Sequence, residues 1–173
     1  MHDFIIVGAG SAGCIMANRL SADPSCRVCL IEAGPPDRNP FIHIPLGLAI
    51  LARSRRLNWA YATEPEPELM DRRLYWPRGR VLGGSSSINA MIYMRGHPAD
   101  YAGWAQAAGP DWDWPAVRRI FLDLEGNTAL SDDHHGTTGP LSVSNLRAVN
   151  PISRAFIAAG IECQHPGNAD FNG

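Results

Sequence analysis

Two glycine-rich stretches hold the residues best suited to chemistry. The first, Gly8-Ala9-Gly10-Ser11-Ala12-Gly13, directly follows the apolar run Phe4-Ile5-Ile6-Val7 and opens a helical pattern. A GxGxxG in that setting binds a dinucleotide for separable reasons. Gly8 permits a tight turn, Gly10 lets the backbone approach a pyrophosphate, and Gly13 lets the helix pack against the strand. The free N–H groups and positive dipole end of the helix then hold the anion. Glu32 closes a second strand, 27–31, about 20 residues further on, where it can accept hydrogen bonds from the adenosine ribose hydroxyls. These residues alone do not separate NAD from FAD.

The second stretch, RGRVLGGSSSINAMIYMRG at 78–96, has no charged side chain between Arg80 and Arg95. It is not a P-loop, because no Gly-Lys-Ser/Thr follows at the required spacing. Nor is it a nucleophile elbow, since no serine is flanked as G-x-S-x-G. No general base lies nearby in sequence to activate Ser85, Ser86 or Ser87. What remains is a surface of backbone and hydroxyls that can approach a flat or anionic ligand closely, with Asn89 offering donor and acceptor.

The positioning elements are partly readable. The run 4–7 reads as a parallel strand covered on both faces. A helix extends to about residue 22 with Ala12, Met16 and Leu20 on one face, closed by Asp23-Pro24. Residues 34–80 show little periodicity and are broken by Gly34-Pro35-Pro36 and later prolines; their apolar and aromatic content argues against disorder. Three amphipathic helices follow. The first starts at Pro98 with Asp100 in its first turn, carries Tyr101, Trp104, Ala105 and Ala108 on one face, and ends at Gly109. The second starts near Pro115, aligns Val117, Ile120, Phe121 and Leu124, and stops at Gly126. The third starts at Asn150-Pro151, is expected to bury Ile152, Phe156 and Ala159, and ends at Gly160. Residues 141–144 alternate like a half-exposed strand.

Composition narrows the classes. With 173 residues, 45% hydrophobic and 18% charged, the chain has the makeup of a globular domain. A net charge of -2 gives no basic footprint for nucleic acid. The longest apolar run, 44–52, is too short to span a bilayer, and no leader is expected before the first strand. The expected location is cytoplasmic, with peripheral contact at the inner membrane left open. Cys26 and Cys29 form a CxxC, but one lies in a strand and no second pair completes a zinc site, so no metal is expected. His134-His135, beside Asp132 and Asp133, reads as a solvated loop, because adjacent side chains diverge and no third ligand is spaced to join them.

Residues 79–89, then Tyr93 and Gly96, resemble the first signature of the glucose–methanol–choline (GMC) flavin oxidoreductases. Gly8–Gly13, Leu30-Ile31-Glu32-Ala33-Gly34, Asn58-Trp59, Thr63-Glu64-Pro65, His97-Pro98-Ala99-Asp100-Tyr101, Gly139-Pro140-Leu141 and Asp170-Phe171-Asn172-Gly173 fit the same pattern, nearest to choline dehydrogenase-like members. The resemblance implies an α/β fold: the N-terminal part of a Rossmann-like FAD-binding domain with an incomplete sheet, and the start of an α+β substrate domain. It implies FAD, with Gly8, Gly10, Ser11, Ala12 and Gly13 on the pyrophosphate and Glu32 and Ala33 at the ribose. Arg80, Val81, Gly83, Gly84 and Ser85, with Asn89, Ala90, Met91 and Ile92, would line the flavin end, and Trp59 the same region. Some members attach flavin through a histidine just before the asparagine; Ile88 stands there, so non-covalent FAD is expected.

The implied reaction is oxidation of an alcohol CH–OH group, choline or another primary alcohol, with oxygen or a quinone-linked carrier as electron acceptor. Family members are about three times this length and carry their catalytic histidine near the C-terminus, so the chain is expected to be an N-terminal fragment without a catalytic base, inactive alone. The expected organisation is a βαβ unit at 1–34, an excursion at 35–126 with the signature at 79–102, and the start of a substrate-binding region at 127–173. An NAD-dependent dehydrogenase would leave 78–96 unexplained, and a non-catalytic nucleotide-binding remnant is the third reading.

Overall fold

In the computed structural model, which describes residues 1–173, Phe4–Val7 forms strand β1, Ser11–Leu20 helix α1 and Val28–Ile31 strand β2. The strands pair in parallel with Phe4 opposite Val28 and Val7 opposite Ile31. A parallel pair needs a crossover, and α1 supplies it. The sheet ends at two strands. Only Ile6 of β1 is buried, while Phe4, Ile5 and Val7 stay exposed, so the expectation of a strand covered on both faces is corrected. Helix α1 lies on one face, and nothing within this unit covers the other. The α1 face is corrected as well: Gly13 is its buried residue, and Met16 points to solvent.

The non-periodic stretch folds as short 3₁₀ turns, the single-turn helix α2 (Leu48–Leu51), and an antiparallel pair of β3 (Tyr61–Ala62) with β4 (Tyr75–Trp76). Its core is Leu51, Leu57, Val81 and Ile88, with Ile42 packed against them. Asn58, 1% exposed, organises the surrounding backbone. Its Nδ2 donates to the Ala52 carbonyl (2.7 Å) and the Tyr75 hydroxyl (2.9 Å), and its Oδ1 accepts from the N–H groups of Ala60 (2.9 Å) and Arg78 (2.8 Å). Asn58→Leu keeps the number of side-chain atoms but leaves the Ala60 and Arg78 N–H groups without their acceptor, at about 1–3 kcal/mol each, while the Ala52 carbonyl keeps the Tyr75 hydroxyl. A loss of roughly 3 kcal/mol in urea unfolding, at unchanged m-value, is the expected result.

Contacts divide the chain into two compact units, Met1–Ile92 and Tyr93–Gly173. The helices after residue 97 pack with segments C-terminal to them. Helix α3 (Pro98–Ala108) has His97 as its N-cap: Nδ1 accepts from the Ala99 N–H (3.2 Å), while Asp100 accepts from the His97 N–H (2.9 Å). The histidine nearest the flavin signature is thus a capping residue. Helix α4 (Trp114–Leu124) is capped by Asp113 and runs straight into β5 (Glu125–Asn127), which pairs in parallel with β6 (Leu141–Val143). Tyr101 is the buried centre of an aromatic cluster with Trp104, Trp114 and Phe121.

Helix α5 (Pro151–Glu162) corrects a further expectation. It runs past Gly160, and its apolar face is open: Ile152 is 76% and Phe156 82% exposed. Periodicity specifies the stripe correctly, but no element of this unit packs on it. No helix is long and apolar enough to cross a membrane.

Candidate dinucleotide site

The site is built on the tight turn between β1 and α1. Gly8 adopts φ +97°, which an L side chain resists, and its N–H donates to the Ile31 carbonyl at 2.8 Å. The first helical bond runs from the Cys14 N–H to the Gly10 carbonyl at 2.9 Å. The N–H groups of Ser11, Ala12 and Gly13 are therefore left without backbone partners, as a helix start requires. Gly13 is the point of contact: a Cβ there would lie 1.9 Å from the Gly8 carbonyl oxygen. A Cβ on Gly8 or Gly10 would meet nothing within 4 Å, so the loop has open space beside it for a ligand.

Glu32 does more than its sequence position suggests. Its Oε2 accepts from the Ala9 N–H (2.8 Å) and its Oε1 from the Gly34 N–H (2.9 Å), so the carboxylate braces the glycine loop against the end of β2. Each oxygen retains a second lone pair, enough for ribose hydroxyls. Ala33, beside it, is exposed.

The second glycine stretch lies directly against the first. The Arg80 N–H donates to the Leu57 carbonyl (2.8 Å), Leu82 to Pro35 (3.0 Å), and Gly83 to Ala9 (2.8 Å). The chain then turns through Gly83 (φ +90°) and Gly84 (φ +58°) into a 3₁₀ turn at Gly84–Ser87. A Cβ on Gly84 would sit 2.8 Å from the Gly10 Cα, so only glycine allows this approach. The hydroxyls of Ser11 and Ser86 meet at 2.5 Å.

The other expected positions divide between core and surface. Val81 and Ile88 lie in the core, 0% and 6% exposed, and support the turn from beneath. Arg80 donates through Nη2 to the Arg55 and Arg56 carbonyls (3.0 and 3.2 Å) and stacks 5.2 Å from the Trp59 ring centroid. Trp59 in turn stacks parallel on Tyr61 at 6.0 Å. Asn89 accepts from the Met91 N–H (2.9 Å), fixing a local turn in which Met91 has φ +57°. Ala90, Met91 and Ile92 are exposed beyond it, an apolar segment able to meet a flat ring.

A separate polar centre lies inside the second unit. His135 is 6% exposed, and the solvated-loop reading is corrected. Its Nδ1 faces Glu125 Oε1 at 3.0 Å and its Nε2 faces Asp170 Oδ2 at 2.8 Å. Glu125 also pairs with Arg95 through Oε2 and accepts from Asn127 Nδ2 at 2.8 Å. Asp132 makes this possible by capping the loop, accepting from the His134 N–H (2.8 Å) and, through its carbonyl, from the His135 N–H (3.2 Å). No group of three or more His, Cys, Asp or Glu is arranged to hold a metal ion. Cys26 and Cys29 are free thiols, with Cys29 in β2.

A βαβ unit with a glycine loop at the helix start, an acid at the end of β2 and a second glycine turn bonded onto the loop defines a dinucleotide-binding protein. The model of the GMC oxidoreductase family matches residues 2–173, and the chain belongs to that family. It is 57% identical over its full length to an alcohol dehydrogenase [acceptor] of Pseudomonas putida, covering 32% of that protein. It is 44% identical to the oxygen-dependent choline dehydrogenase of Vibrio vulnificus, over 99% of this chain and 31% of the relative. The structure of formate oxidase from Aspergillus oryzae, determined to study modification of its FAD, superposes with a TM-score of 0.87 at 27% identity. That match covers 99% of this chain and 32% of the other. The chain thus spans about a third of the length of the curated relatives it matches. The cofactor of this fold is FAD, and the open glycine loop, the braced acid and the exposed segment 89–92 fit it.

Proposed function

We propose that this chain forms the FAD-holding part of an enzyme that oxidises an alcohol CH–OH group, with a primary alcohol such as choline as substrate. The observation that carries the reading is the direct bonding of the two glycine turns, which makes one site from two motifs. FAD, when bound, supplies the hydride acceptor. The chain's own groups bind and orient it: the N–H groups of Ser11, Ala12 and Gly13 take the pyrophosphate, and Glu32 takes the ribose. Backbone and small side chains from Gly83 to Ile92 take the flavin end. None of its residues is assigned as the base that accepts the hydroxyl proton.

Attachment is non-covalent, because Ile88 is an inert core side chain at the position where a histidine would bond the flavin. The reoxidant is oxygen or a quinone-linked carrier, and the relatives' names support both an oxygen-dependent and an acceptor-linked route. The test is the absorption spectrum of purified protein after FAD addition and gel filtration. Retained flavin bands that are lost on denaturation, with no NADH binding and no alcohol turnover by the chain alone, are expected. A colourless protein that binds NADH would overturn the reading.

A further inference from the structure

The three consecutive serines at 85–87 have three different partners. Ser85 Oγ accepts from the Gly79 N–H at 3.1 Å, closing the approach to the turn. Ser87 Oγ donates to the Leu82 carbonyl at 2.8 Å, closing the turn itself. Ser86 alone reaches out of the turn, to Ser11 at the first position of α1. The contact spans 75 residues in sequence and joins side chains, whereas its neighbours serve the turn's own backbone.

Its setting makes the contact directional. The Gly83 N–H to Ala9 carbonyl bond (2.8 Å) fixes the turn one residue before the open Gly10. The backbone approach of Gly84 to Gly10 then sets the spacing. With the two backbones held, the exposed Ser86 hydroxyl meets Ser11, which sits beside the free N–H groups of the helix start. Two hydroxyls carry two protons, and the bridge between them uses one. The pair therefore presents one O–H for donation to an anion at the helix N-terminus, held at a defined place.

We infer that Ser86 is a positioning residue for the cofactor. Its hydroxyl latches Ser11 and orients the donors of the glycine loop before FAD arrives. The inference rests on the FAD-binding reading for its consequence but not for its geometry. A single hydrogen bond of this kind contributes about 0.5–1.5 kcal/mol, which corresponds to roughly threefold to tenfold in affinity.

The test combines FAD titration, followed by flavin fluorescence, with amide hydrogen exchange on the FAD-free protein. Ser86→Ala is expected to weaken FAD binding about threefold to tenfold. It should also speed exchange in the 8–13 loop while leaving the β1 and β2 amides unchanged. Ser86→Thr, which keeps the hydroxyl, is expected to restore both. Ser11→Ala should cost about as much as Ser86→Ala, and the double variant less than the two losses multiplied together. Losses that multiply in the double variant, a Thr variant as weak as the Ala variant, or unaltered exchange in the loop would each overturn the latch. If the unmodified protein does not bind FAD, the functional reading fails, while hydrogen exchange still decides whether the latch exists.

Discussion

Glu125→Ala is expected to destabilise the unit Tyr93–Gly173 by about 3–5 kcal/mol, the usual cost of stranding a buried charge. Arg95 and Glu125 side chains are 2% and 0% exposed, so removing the carboxylate strips a buried guanidinium of its direct ion-pair partner. Arg95 would retain its Nη1 bond to the His134 carbonyl (2.6 Å), the Tyr93 and Phe121 rings at 5.8 and 5.4 Å, and the more distant charge of Asp170. The loss should appear in chemical denaturation followed through Trp104, Trp112 and Trp114. An effect below about 1 kcal/mol would mean that water reaches the pair.

The same cluster gives the unit a stability window in pH. Burial works against the His135 imidazolium, but the Glu125 and Asp170 carboxylates on its two ring nitrogens outweigh burial and raise its pKa. Its contribution is complete below the ordinary imidazole value of 6.5 and fades as pH rises through the higher folded value. For Glu125 and Asp170, burial favours the neutral acid. Hydrogen bonds from His135 and Asn127 to Glu125, and from the Asn172 N–H and His135 to Asp170, reverse that and lower both pKa values. Their contribution is complete above the ordinary Glu value of 4.5 and fades as pH falls through the lowered folded values. Stability of this unit should therefore peak between pH 4.5 and 6.5. His135→Gln should flatten the alkaline limb in melts recorded across pH.

Gly13→Ala is the second large effect. The new methyl would lie 1.9 Å from the Gly8 carbonyl oxygen, a backbone atom that cannot rotate away. Helix α1 must lift off the loop, at about 1–3 kcal/mol of overpacking strain. Lifting it also misplaces the donors meant for the pyrophosphate. Losing two charge-assisted hydrogen bonds, even at the low end of about 1.5 kcal/mol each, weakens FAD binding on the order of a hundredfold. Gly103→Ala is the contrast, since a methyl there meets nothing within 4 Å inside α3. It should leave affinity unchanged and add up to about 1 kcal/mol of stability. Equal effects from the two variants would show that the Gly13 contact is not special.

What can be read from the chain depends on how far apart the cooperating residues lie. The glycine loop, Glu32 and the starts of α3 and α5 are local patterns, in which a short stretch contains both the signal and its cause. The burial of His135 escapes such a reading because its partners Glu125 and Asp170, and Arg95 behind Glu125, belong to three other segments that spacing does not connect. The α5 stripe is readable as a stripe, but periodicity does not say what covers it. The short turns between residues 34 and 80 are set by Asn58 and a small core, with no period to read. The bond between Ser11 and Ser86 is equally invisible, although the serine run itself stands out.

That bond also orders events during folding. The β1–α1–β2 unit closes within about thirty residues, at little loop entropy. The latch must wait until residue 86 exists and the chain between has collapsed onto Asn58 and Val81, a closure across 75 residues. A growing chain thus carries its recognisable fingerprint before the second glycine turn, which the proposed FAD site also needs, can be bonded to it. Occupancy of the flavin site is then a report on the collapse of residues 34–80, the part of the molecule with the least regular structure.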